Sequence, residues 1–274
     1  MHLGTVHIAG TDRVVALEDG AVAELSFPDD LGALICSGAD PRGLDRRRVL
    51  PREPEPRLRA PLRPPKIVAI GLNYHDHARE AGGDVPARPL VFAKLPSAVI
   101  GPGEAIEIDP KLTARVDWEV ELAVVIGRRM RDVDAGDALR YVFGYTVAND
   151  VSARDVQFAD GQWVRGKSFD TFCPLGPMVV TADCVPDPQR LRLETRVNGE
   201  TVQDSSTAEM VFGVAELLAY CSRSFTLEPG DILLTGTPWG CGEFMNPRRS
   251  LRAGDVVEVE VEGIGVLANP VVAR

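Results

Sequence analysis

The chain reads as a mixed, β-rich α+β protein. Apolar residues alternate with a period of two in most of its patterned stretches, an Asn198-Gly199 turn separates two of them, and only residues 210–220 show the spacing of a long amphipathic helix. Pro51, Pro54, Pro56, Pro61, Pro64 and Pro65 form a stiff connection that predicts a division into a small β-rich N-terminal domain, 1–60, and a larger domain, 61–274.

At 274 residues and 45% hydrophobic content, the chain is long and apolar enough for a substantial core. A net charge of -10 argues against nucleic acid or an anionic membrane as partner, because both demand a basic surface. Cys36, Cys173, Cys184, Cys221 and Cys241 are odd in number and lack C-x-x-C spacing, so free thiols in a reducing compartment are expected. No apolar run approaches the roughly 18 residues of a membrane span, and the start lacks a signal pattern. A soluble, cytoplasmic protein is the expectation.

Residues 5–9 and 13–17 flank Gly10-Thr11-Asp12 as a hairpin, with a third strand expected after Asp19-Gly20. Residues 31–36 suit one or two helical turns. Arg42, Arg46, Arg47, Arg48 and Arg52 form a basic run that reads as solvated surface. Residues 66–71 then predict a short buried strand, and residues 74–80 a short helix ended by Gly82-Gly83. On that helix His77 and Glu80 stand at i and i+3. A carboxylate so placed can orient an imidazole for general-base work, and the same spacing equally describes an ordinary surface pair.

Residues 117–127 carry the strongest pattern, with Val120, Leu122, Val124 and Ile126 alternating with Glu119, Glu121, Ala123 and Val125. Glu119 and Glu121 therefore share one face, about 6.6 Å apart at Cα, close enough to converge on one cation. The strand expected over 141–148 delivers Asp150 to its end. Three carboxylates without Cys or His suit a hard ion, Mg²⁺ or Mn²⁺. Glu258, Glu260 and Glu262 have the same spacing near the C-terminus, where a strand with one wet face explains it.

Ser152 and Asp155 have capping-box spacing and predict a helix on which Arg154 and Gln157 share a face. Residues 163–177 are too rich in Gly and Pro for a regular element, and within them Lys167 could balance the carboxylates. Asn198-Gly199 predicts a hairpin, residues 235–240 a glycine-rich loop unlike a phosphate cradle, and residues 256–261 and 266–272 a closing strand pair.

Five separated motifs, G-L-N-Y-x-D-H-A-x-E (71–80), W-E-V-E-L-A-V-V-I-G (118–127), N-D-V-S-A-R-D-V-Q (149–157), R-G-K-S-F-D-T-F-C-P-L-G-P (165–177) and T-G-T-P (235–238), resemble the fumarylacetoacetate hydrolase family in order and spacing. The likeness covers roughly residues 66–274. It implies a β-sandwich or roll for the catalytic domain, a homodimer, and Mg²⁺ or Mn²⁺ held by Glu119, Glu121 and Asp150. It also implies a His77 and Glu80 dyad on a lid, with Lys167 as a catalytic group and Arg154, Gln157 and Thr237 lining the substrate pocket. The implied substrates are small 2-oxo acids. Hydrolytic C–C cleavage of an acylpyruvate leads the expectations. Oxaloacetate decarboxylation, isomerisation, tautomerisation or hydration of unsaturated 2-oxo acids, ureidoglycolate cleavage and non-catalytic binding are the alternatives.

Overall fold

The structure is a computed structural model that describes residues 1–18, 20–51 and 57–274. Asp19, Arg52, Pro54 and Pro56, which figure in the expectations above, lie outside the described residues. Two sheets face one another. The main one runs Arg46–Val49, Ala21–Leu25, Thr11–Glu18, His2–Ile8, Cys173–Thr181, Val142–Asn149, Val120–Ile126, Ile232–Leu234, Ile67–Gly71 and Leu90–Lys94, with Val99–Ile100 added beside Cys173–Thr181. The second runs Glu200–Ser206, Arg192–Val197, Val256–Val261, Gly265–Ala273 and Ile106–Ile108.

The strand Val120–Ile126 lies inside the main sheet, bonded to Val142–Asn149 and Ile232–Leu234. Its alternation divides the interior. Val120, Leu122, Val124 and Ile126 point between the sheets, where they pack with Leu193, Val197, Val257, Val259 and Leu267. Ala123 and Val125 point to the other face, against Ile67, Ala69, Leu175, Leu234 and the helix Leu31–Ser37. Glu119 and Glu121 share the parity of this second face, so the period that buries the strand also brings both carboxylates into the protein.

The main sheet crosses residue 60. His2–Ile8 pairs with Cys173–Thr181, and one core cluster joins Leu3, Val14, Leu25 and Leu34 to Ile67, Val125 and Leu175. The first 60 residues thus extend the same sheet, and Val6, Val15 and Leu50 form a small separate cluster with Met178 of the strand Cys173–Thr181.

Several local expectations are corrected. The first hairpin turns at Ala9-Gly10, with φ of 50° and 83°, because a two-residue loop with both residues left-handed matches strand twist. Ser152 and Asp155 form no capping box. Ser152–Ala153 pairs as a short strand with Val116–Asp117, Ser152 Oγ donates to the Asp150 carbonyl, and Asp155 instead accepts from Thr113 and Ala114. The segment 163–177 is regular in part: Val164–Lys167 is a helical turn and Cys173–Thr181 a strand whose Pro177 falls at a pairing irregularity. The long helix spans Val214–Ser224, starting later than expected because Glu216 accepts from the Gly213 N–H at 2.8 Å and fixes the first turn there.

Candidate active site

The helix His75–Glu80, the strand Val120–Ile126, the end of Val142–Asn149 and the helix Arg154–Asp160 converge beside the loop 235–242. Ligand atoms of Glu119, Glu121 and Asp150 come within 4.8 Å of one another, and all three residues are buried. Lys167 donates to Glu119 at 2.6 Å and to Asp150 at 2.8 Å. Arg154 stands 2.6 Å from Glu119 and 2.8 Å from Asp117, and donates to Gln157 Oε1 at 3.1 Å.

Two participants were not anticipated. Lys94, fully buried, donates to Asp150 at 2.5 Å and to the Lys167 carbonyl. Its signal was present: it ends the apolar run Leu90–Lys94, where a lysine entering the interior needs an anion. Asp117 anchors Arg154 and accepts N–H groups of Trp118, Gly242 and Glu243.

Four buried carboxylates, Asp117, Glu119, Glu121 and Asp150, thus meet three buried cations, Lys94, Arg154 and Lys167. Glu121 is the carboxylate without a cationic partner among the described residues; its bond is from the Gly236 N–H at 2.7 Å. Burial, reinforced by the charges of Asp150 and Glu119, pushes the Glu121 carboxyl well above its usual range. Burial alone would also raise Glu119, but Arg154 and Lys167 hold it down at about 2. A cluster of hard oxygen donors that is one positive charge short fits a divalent cation.

His77 lies across the same pocket, 5% exposed. Its Nδ1 is 3.2 Å from Glu80 Oε2, while Glu80 Oε1 accepts from the Gly240 N–H at 2.8 Å. Asp76 ties the helix down, accepting from Ser205 Oγ at 2.5 Å. The loop 235–242 thereby directs successive N–H groups at Glu121, Glu80 and Asp117. These N–H groups are taken up by the chain's own carboxylates, which fits the reading that the loop is not a phosphate cradle.

The enclosed space is about 250 Å³, walled by Phe92, Phe158, Trp163 and Phe244 on its apolar side and by His77, Arg154, Gln157, Lys167 and Thr237 on its polar side. Thr237 Oγ1 accepts from Gln203 at 3.0 Å. Trp163, in a loop whose role was not legible, packs edge-on to Phe92 and over Gly71, where a Cβ would sit 2.4 Å from the indole.

The family profile described as fumarylacetoacetate (FAA) hydrolase C-terminal matches residues 66–272. The chain belongs to the fumarylacetoacetate hydrolase family. Among relatives, mitochondrial oxaloacetate tautomerase FAHD2A of Bos taurus is 51% identical over 226 residues, covering 82% of this chain and 72% of its own. The Rattus norvegicus protein Fahd2a, also named a mitochondrial oxaloacetate tautomerase, is 49% identical over 225 residues with the same coverage. Among solved structures, fumarylacetoacetate hydrolase from Exiguobacterium antarcticum matches with a TM-score of 0.89 and 40% identity across the whole of both chains. A structure titled 5-carboxymethyl-2-hydroxymuconate delta-isomerase, from Mycobacterium smegmatis, matches with a TM-score of 0.85 and 38% identity, again over both whole chains. The protein is therefore an enzyme of this family with its β-rich fold. No described helix is long and apolar enough to cross a membrane.

Proposed function

We propose that the enzyme catalyses enol–keto tautomerisation of a small 2-oxo dicarboxylic acid of the oxaloacetate type, in the cytoplasm. The observation that carries this reading is the His77–Glu80 dyad, its imidazole buried, facing the acidic cluster across a space of about 250 Å³. That space is below the roughly 300 Å³ at which drug-sized pockets begin, which suits an acid of few carbons. The names of the Bos taurus and Rattus norvegicus relatives point the same way.

Glu119, Glu121 and Asp150 would hold Mg²⁺ or Mn²⁺, favoured by their oxygen donors. When bound, such an ion supplies electrophilic stabilisation of negative charge developing on a substrate oxygen. Arg154 and Lys167 provide positive charge for a substrate carboxylate, and Gln157 and Thr237 add polar contacts at the same wall. Phe92, Trp163 and Phe244 form the apolar wall opposite these polar groups. In the enol-to-keto direction the C2 hydroxyl loses its proton to water, C2=C3 becomes C2=O, and protonated His77 delivers a proton to C3. His77 then regains a proton from solvent. Glu80, held by Gly240, orients the ring and stabilises its charged form.

Acylpyruvate hydrolysis is the second reading, favoured by the full-length likeness to the Exiguobacterium antarcticum hydrolase. There His77 would deprotonate water instead of serving carbon. Loss of enol absorbance from oxaloacetate, measured beside acylpyruvate turnover with Mg²⁺ or Mn²⁺, separates the two. The expected result is accelerated tautomerisation that chelator abolishes and His77→Ala reduces by about 10² to 10⁴-fold. Acylpyruvate cleavage with no effect on the oxaloacetate enol would replace the first reading with the second.

A further inference from the structure

Beside the dyad lies a group with no part in the chemistry above. Cys241, in the same loop as Gly240, is fully buried, and among the described residues its Sγ makes only long hydrogen-bond contacts, 3.9 Å to Gln203 Nε2 and 3.9 Å to the Pro238 carbonyl. Ligand atoms of His77, Glu80 and Cys241 all lie within 4.8 Å of one another. We infer that His77, Glu80 and Cys241 form a second cation site, for a thiophilic divalent ion such as Zn²⁺, whose occupation withdraws the dyad from proton transfer.

The donor set decides the class of ion. One imidazole nitrogen, one carboxylate oxygen and one thiolate suit zinc, whereas the three carboxylates across the pocket suit harder ions. The spacing agrees. Nitrogen and oxygen ligands about 2.0 to 2.1 Å from a tetrahedral zinc stand roughly 3.3 Å apart, and His77 Nδ1 is 3.2 Å from Glu80 Oε2. A thiolate at about 2.3 Å from zinc would stand roughly 3.5 Å from each, and the three ligand atoms already lie within 4.8 Å of one another. Glu80 is already oriented by the Gly240 N–H, an outer contact of the kind that supports metal ligands. Three protein ligands leave a fourth tetrahedral position open. On binding, the Cys241 thiol gives its proton to solvent and the His77 lone pair passes to the metal, so that His77 can no longer accept a proton. The inhibitory consequence rests on the reading of His77 as the acid–base group; the site itself does not.

Co²⁺ and Zn²⁺ added to the Mg²⁺-saturated enzyme test both parts. One equivalent of Co²⁺ should give thiolate-to-metal charge-transfer absorption in the near ultraviolet. Cys241→Ser and Cys241→Val should abolish it, while replacement of the exposed Cys36 and Cys184 by serine should leave it. Zn²⁺ should inhibit wild type, with at least about a tenfold higher concentration needed in Cys241→Ser, which keeps its Mg²⁺-dependent turnover. Absence of the band in wild type, or its survival in Cys241→Val, would overturn the site. A Cys241-dependent band without inhibition by Zn²⁺ upholds the site and overturns instead the acid–base role of His77.

Discussion

Glu121 shows how much one residue's surroundings add to its spacing. In the sequence, Glu119 and Glu121 are equivalent members of an alternating pair, and Glu258 and Glu260 look the same. In the structure Glu119 is bracketed by Arg154 and Lys167, Glu121 meets, among the described residues, only the Gly236 N–H as a hydrogen-bond partner, and Glu258 and Glu260 pair with Arg196 on a partly wet face. The period revealed which carboxylates share a face; their cations arrive from residues 94, 154 and 167, separations that no local pattern encodes. Glu121→Gln tests the charge deficit. Without metal it should be at least as thermostable as wild type, because a repelling buried charge is gone. With Mg²⁺ or Mn²⁺ it should lose most of the thermal stabilisation that wild type gains, since a bound ligand stabilises by an amount that grows with its affinity. A metal-dependent shift equal to wild type would show that Glu121 is not a ligand.

Among elements, the strands and the Asn198-Gly199 turn were read best, because a period of two and an Asn-Gly pair are local properties, whereas the first hairpin turn was placed one residue off. The short helix with His77 and Glu80 was legible as a helix, but nothing in residues 74–80 revealed that it closes onto Ser205 and Gly240. The loop 235–242 was the least legible element. Its glycines follow no phosphate-binding pattern, and their purpose emerges only where the backbone meets Glu121, Glu80 and Asp117. Gly240 has φ of +95°, and a Cβ there would lie 2.1 Å from the Val202 carbonyl oxygen. Gly240→Ala should therefore destabilise the protein by about 1 to 3 kcal/mol and lower turnover through displacement of Glu80. Denaturant titration and steady-state kinetics at saturating metal check this, and an unchanged kcat would separate the loop from the dyad.

At the scale of the molecule, the proline-rich connection suggested two units, while the strand pairing runs through both. Pairing between His2–Ile8 and Cys173–Thr181 spans more than half the chain, and such long-range register leaves no mark on either segment alone. Leu34, fully buried against strands from beyond residue 60, offers a probe. Leu34→Ala should cost about 2 to 5 kcal/mol and shift one common unfolding transition, seen alike by tryptophan fluorescence and far-UV circular dichroism. Two separated transitions would show that the first 60 residues unfold independently.

The same continuity gives the basic run a position. Arg46–Val49 is an outermost strand, exposed throughout and bonded on one side to Ala21–Leu25, with Arg46 facing Glu18 and Arg48 facing Glu24. No strand among the described residues pairs with its other side, where an extended chain could add, and long charged side chains make such addition costly. Arg46, Arg47 and Arg48, read from the sequence as solvated surface, are indeed exposed along this strand. The unaltered protein is expected to scatter light as a homodimer, and Arg46→Thr with Arg48→Thr should produce species that keep growing with concentration and time, while a fresh sample retains full turnover.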